Sequence, residues 1–202
     1  MRPVRRPLYN GTAYSNYKDY LSALLSTYGG YCSYCERSDK VDVEHVIPKT
    51  HAPHLVTDWN NLLLGCPRCN RDFKKSQNQQ RHGYVWPDVD NTFKLLEYHP
   101  DGRVGPKPGL SAADTAKVQA TINLVCLDDA HQVQKPLNLG RRTQFNIAKM
   151  ARTHFLANEL NDDEVMEMAK VGFWSVWYNV FQGIPAIISK LALYPNTDIN
   201  RP

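Results

Sequence analysis

Apolar positions at Tyr17, Tyr20, Leu21, Leu24, Leu25 and Tyr28 recur three and four residues apart, the spacing that turns one face of a helix toward a core. Ser15 or Asn16 can cap this helix, and Gly29-Gly30 supplies its stop. The period then changes. Val41 and Val43 alternate with Asp42 and Glu44 as in a short strand, and Leu62, Leu63 and Leu64 form a second short apolar run after an irregular, Pro-containing loop. Phe93, Leu95 and Leu96 read as a strand leading into a hairpin turn at Asp101-Gly102. Helical periodicity returns in three further segments. The first is capped by Ser111 and carries Val118, Ile122 and Val125. The second carries Phe145, Ala148, Arg152 and Phe155, and the third Val165, Met168, Phe173, Val176, Trp177 and Val180.

Composition narrows this little: 202 residues, 42% hydrophobic and 22% charged, describe an ordinary globular chain. A net charge of +4 is compatible with a polyanionic partner without requiring one. No run approaches the roughly 18 apolar residues that span a membrane, and no apolar stretch of signal-peptide length follows Arg2, Arg5 and Arg6. The expectation is a cytoplasmic protein without membrane contact, in a reducing setting where paired cysteines hold metal more often than they form disulfides.

That setting decides how the cysteines are read. Cys32-Ser33-Tyr34-Cys35 and Cys66-Pro67-Arg68-Cys69 are two C-x-x-C knuckles, each able to turn two thiolates toward one centre. Four sulfurs make a closed tetrahedral Zn²⁺ site, which leaves no position for a reacting water and is therefore structural. Cys126 is left over and reads as a small buried hydrophobe.

Between the knuckles stand Val43-Glu44-His45-Val46-Ile47-Pro48-Lys49 and Asp58-Trp59-Asn60-Asn61-Leu62-Leu63-Leu64, and Asn70 follows the second knuckle directly. This order, over roughly residues 31 to 75, resembles the HNH, or ββα-metal, nucleases. More narrowly it resembles the HNH proteins of Septu and certain retron anti-phage systems. The resemblance implies an α+β fold with a small ββα-metal HNH core, carrying a zinc knuckle pair of four cysteines and surrounded by helices. It divides the chain into a leader and helix (1–30), the nuclease core (31–82), a connecting region (83–110) and a helical region (111–202).

The same resemblance implies the roles. His45 is the general base, since an imidazole titrating near pH ~6.5 is neutral enough to take a proton from water. Glu44 and Asn70 offer the hard oxygens that suit a catalytic Mg²⁺ or Mn²⁺. Asn61 takes the family's middle position and orients His45, with Asn60 the competing candidate. Glu44 and His45, adjacent on a strand, reach one phosphate only if the strand ends there. Phe73 stands where many relatives carry Lys, so whether Lys74 or Lys75 takes that position stays open.

Lys49, Arg68, Arg71, Lys74 and Lys75 are expected to contact nucleic acid, DNA in the first instance, with Arg141, Arg142, Lys149 and Arg152 as a flanking basic cluster. His51 and His54 read mainly as solvated loop residues, and His82, His99, His131 and His154 carry less functional expectation still. The Septu-like resemblance implies a regulatory ATPase partner and an effector nuclease in anti-phage defence. The alternatives are a non-catalytic zinc-ribbon module that binds nucleic acid, and an adaptor presenting Trp174, Trp177 and Phe181 to a partner.

Overall fold

The computed structural model describes residues 1–129, 137–194 and 196–202; His131 lies outside them. Asn16 caps a 3₁₀ turn, Tyr17–Tyr20, by accepting from the Lys18 N–H, and helix α1 follows over Leu21–Tyr28. Gly29, at φ 76°, ends it. Strand β1 (Asp42–His45) pairs antiparallel with β2 (Leu62–Gly65), placing Val43 opposite Leu64 and His45 opposite Leu62. Leu62, Leu63 and Leu64 are all buried, so this small ribbon is covered on both faces.

A seven-residue π-helix, Arg68–Lys74, follows β2. Its wider turn shows in the Lys75 N–H, which donates to the carbonyl five residues back on Asn70 at 2.7 Å. A helical turn, α2 (Thr92–Leu95), then leads to a hairpin of β3 (Leu96–Tyr98) and β4 (Val104–Pro106). The strand expected from Phe93 thus begins only at Leu96. Gly102 turns the hairpin at φ 93°, and a Cβ there would lie 1.9 Å from the Asn138 carbonyl oxygen.

Among the described residues the helices that follow are α3 (Ala112–Leu124), α4 (Leu137–Leu156), α5 (Asp162–Ala169), α6 (Trp174–Val180) and α7 (Pro185–Leu193). The third periodic segment is two helices rather than one. It breaks at Gly172 and Phe173, with φ of 121° and 58°, because this bend docks on the first knuckle. There the Phe173 N–H donates to the Glu36 carbonyl at 2.9 Å, and the Ser175 hydroxyl donates to the Glu36 carboxylate at 2.7 Å. A Cβ on Gly172 would stand 2.6 Å from that same carbonyl, so only glycine permits the approach.

Among the described residues the result is mixed: two small antiparallel ribbons among helices, with a buried group of four cysteines. Buried side chains from Met1 to Leu191 form a continuous apolar cluster, and Trp174, Trp177 and Phe181 belong to it rather than to an exposed face. Among the described residues, no helix is long and apolar enough to cross a membrane.

Candidate metal centre and catalytic cleft

The two knuckles converge. The sulfurs of Cys32, Cys35, Cys66 and Cys69 all lie within 4.8 Å of one another, and all four residues are buried. Cys35 and Cys66 Sγ are 3.7 Å apart, close to the edge of about 3.8 Å that a tetrahedron of thiolates at the usual Zn–S distance would have. Every described cysteine is free of disulfide. The geometry therefore fits one tetrahedral cation. Arg68, whose Nη1 is 3.7 Å from Cys69 Sγ, offsets part of the charge four thiolates would carry.

β1 ends at His45, and this lets adjacent side chains reach one place. Glu44, His45 and Asn70 line a single cleft of about 270 Å³ with Tyr17, Lys49 and Lys75. The His45 Nε2 lies 2.9 Å from the Val56 carbonyl oxygen. A carbonyl can only accept, so in the neutral ring Nε2 carries the proton and Nδ1 the lone pair. Burial holds the imidazole below its ordinary value; the Val56 contact opposes this, and the charges of Lys49 and Lys74 reinforce it.

Glu44 is buried, and its Oε1 receives Lys74 Nζ at 2.8 Å and the Tyr34 hydroxyl at 3.0 Å. The same ammonium donates to the His45 carbonyl at 2.8 Å, tying Lys74 to both residues at the end of β1. A π turn holds one residue more than an α turn, so the inward position falls four residues after Asn70 instead of three. That position is Lys74. Lys75, at φ 50°, is exposed at the cleft.

Several expected contacts lie elsewhere. The Asn61 side chain hydrogen-bonds to Ile47 and Leu55 and not to the imidazole. Its carboxamide accepts from the Ile47 N–H at 2.8 Å and donates to the Ile47 carbonyl at 2.9 Å and the Leu55 carbonyl at 3.3 Å, holding the loop that presents Val56. Asn60 is exposed. Arg68 and Lys74, expected on a phosphate-binding surface, are internal: Arg68 is 3% exposed and pairs with Asp129 at 2.8 Å. Arg141 is likewise buried, donating to the Gly102 and Leu127 carbonyls, while Arg142 and Lys149 are exposed. Arg71 is exposed and pairs with Asp72. His51 lies over the Ser76 carbonyl at 2.8 Å, and no described histidine besides His45 lines the cleft.

Gly65 was not singled out from the sequence. A Cβ added there would stand 3.0 Å from the Cβ atoms of both Asn70 and Glu44, so its bare Cα is what lets the two approach. The available signal was a lone glycine ending an apolar strand, which marks close approach of another part of the chain. Tyr17, which lines the cleft, and Tyr34, buried behind it on Glu44, carry no local signal of either role.

The sequence model of the family described as HNH endonuclease matches residues 32–76, the span holding both knuckles, β1, β2 and the π-helix. Residues 32–76 are an HNH endonuclease domain. Two relatives place this domain in context. The Septu protein PtuB of Bacillus thuringiensis is 36% identical, in a match covering 40% of this chain and 34% of that protein. The HNH protein of retron Vc95 from Vibrio cholerae is 24% identical, covering 65% of this chain and 68% of that protein. This chain thus spans about a third of the length of the PtuB protein it matches.

Proposed function

We propose that this chain is a metal-dependent HNH endonuclease that hydrolyses phosphodiester bonds, and that its substrate is DNA. The observation that carries the reading is the convergence of Glu44, His45 and Asn70 on one cleft within the HNH domain. His45 Nδ1, left basic by the Val56 contact, takes a proton from the attacking water as its oxygen bonds to phosphorus and the bond to the leaving oxygen breaks. Lowering of the ring's proton affinity keeps it neutral for that task.

Glu44 and Asn70 are the pair suited to hold Mg²⁺ or Mn²⁺, which when bound would offset negative charge gathering on the phosphate oxygens. Lys74 and Tyr34 both occupy Glu44 Oε1, leaving Oε2 as the oxygen for the cation. Lys49 and Lys75, exposed at the cleft, attract the backbone phosphates. Cys32, Cys35, Cys66 and Cys69 hold a structural Zn²⁺ that fixes β2 and the π-helix against the first knuckle. Similarity to a Septu protein supports an effector role in anti-phage defence beside a regulatory ATPase.

The test is cleavage of supercoiled plasmid, a single-stranded oligodeoxynucleotide and single-stranded RNA by the purified chain. Cutting should require added Mg²⁺ or Mn²⁺, favour DNA, and fall by about 10²- to 10⁴-fold in His45→Ala. Failure to cut any of the three, or full activity in His45→Ala, would overturn the reading.

A further inference from the structure

The HNH match begins at residue 32, yet one wall of the cleft comes from before it. Tyr17 stands edge-on to the His45 imidazole, with ring centroids 4.7 Å apart and planes at 67°. Its hydroxyl lies 3.4 Å from Lys49 Nζ, and that ammonium also sits 5.0 Å from the centre of the tyrosine ring. One side chain therefore touches both the proposed base and a cation at the cleft mouth.

Anchoring this segment to the core falls to a different residue. Tyr20, at the other end of the same 3₁₀ turn, is 4% exposed and packs beside Trp59 of the HNH domain at 6.1 Å. Tyr17 stays half-buried and faces the cleft. A ring held by a rigid turn restricts the imidazole to one orientation. A cation held against an aromatic face by a hydroxyl keeps a narrower range of positions than a free lysine.

We propose that Tyr17 is a positioning residue of the cleavage site, its ring fixing the His45 imidazole and its hydroxyl and ring face holding Lys49 where a substrate phosphate enters. This rests on the nuclease reading above. It divides the work of one side chain between two kinetic quantities: the ring acts on kcat through His45, and the hydroxyl acts on KM through Lys49.

The experiment measures Mg²⁺-dependent cleavage for Tyr17→Leu, Tyr17→Phe, Lys49→Met and the two double variants, on whichever of the plasmid, oligodeoxynucleotide or RNA the wild type cuts fastest. Zinc content and melting temperature are read alongside. Tyr17→Leu should lower kcat about tenfold and raise KM several-fold, whereas Tyr17→Phe should keep kcat and raise KM alone. In the Lys49→Met background the KM effect of either Tyr17 change should vanish and the kcat effect of Tyr17→Leu should persist, a coupling that loosened packing does not produce. Tyr14→Leu, which disturbs a neighbouring ring against Tyr20, should cut like the wild type.

Wild-type kcat and KM in Tyr17→Leu would overturn the proposal, as would KM effects that add fully to that of Lys49→Met, or an equal loss in Tyr14→Leu. Should Tyr17→Leu melt early, the isosteric Tyr17→Phe with Lys49→Met still decides the hydroxyl's role. A wild type that cuts nothing would bring down the nuclease reading itself; a wild type that cuts, with every Tyr17 variant unchanged, would bring down only this inference.

Discussion

The Lys74 ammonium lies 2.8 Å from Glu44 Oε1, with neither side chain appreciably exposed. Removing one member of such a pair strands the other's charge away from water, which is where most of the energy lies. Burial already raises the Glu44 carboxyl above its ordinary range, and Lys74 is the leading influence pulling it back. Lys74→Met should therefore destabilise the fold by about 3–5 kcal/mol and leave Glu44 protonated, a poor cation ligand. Denaturant unfolding of Lys74→Met and of Lys74→Met/Glu44→Gln checks this. The double variant should recover much of the stability and none of the cleavage. A single variant as stable as the wild type would show that the two charges do not depend on each other.

The four-cysteine group should carry one zinc per chain, contributing folding free energy of order ~10 kcal/mol as structural zinc does in small domains. Metal analysis should find about one equivalent of zinc, and Cys69→Ser should lose it and melt early. Less than half an equivalent in the wild type would contradict the assignment. Because the sulfurs hold the π-helix beside β2, zinc loss should abolish cleavage indirectly, whatever the Mg²⁺ concentration.

Acid sensitivity should appear at Asp88. Burial pushes this carboxyl up, but Arg6 and Arg81, both within 2.9 Å of Oδ2, outweigh it and hold the group below its ordinary value of 3.8. A carboxyl depressed in the folded state adds stability that is fully present above its unfolded value and disappears as pH falls through the folded one. The stability gap between wild type and Asp88→Asn should be constant near neutrality and shrink below about pH 4. Chemical denaturation across that range measures it, and a gap that does not narrow in acid would refute the pairing.

What could be read from the sequence was what the chain encodes locally. Each C-x-x-C fixes two ligands within one turn, so the knuckles were legible from spacing, as were the caps at Asn16 and Ser111. The order Glu44-His45, Asn61, Asn70 located the cleft through its family resemblance, and Glu44, His45 and Asn70 do line it. What stayed hidden depends on distant partners. Arg68 and Lys74 look like surface cations until Asp129, 61 residues away, and Glu44, on a different element, are seen to receive them. The π turn that turns Lys74 inward in place of Phe73 has no local pattern of its own. The break at Gly172 had a visible glycine, but its cause is the carbonyl of Glu36, far away in the chain.

Gly65 offers the sharpest test of the cation site, because its replacement adds a single methyl group where Glu44 and Asn70 meet. At 3.0 Å from both Cβ atoms, that methyl forces one or both aside by a few tenths of an ångström. The Gly65 backbone is paired in β2 and lies outside the left-handed region, so alanine brings no backbone strain of its own. Gly65→Ala should lower the cleavage rate by about 10- to 100-fold, the range that small misplacements of reacting groups produce. Raising Mg²⁺ should restore part of the loss, because both donors remain and only their separation has changed. Gly105→Ala, where an added Cβ meets nothing within 4 Å, should cut like the wild type. Zinc must be measured in the same samples, since Cys66 is the next residue. Loss of zinc in Gly65→Ala would trace the defect to the knuckle. Full activity with zinc intact would mean that Glu44 and Asn70 do not need to approach, and the paired-ligand site would fall.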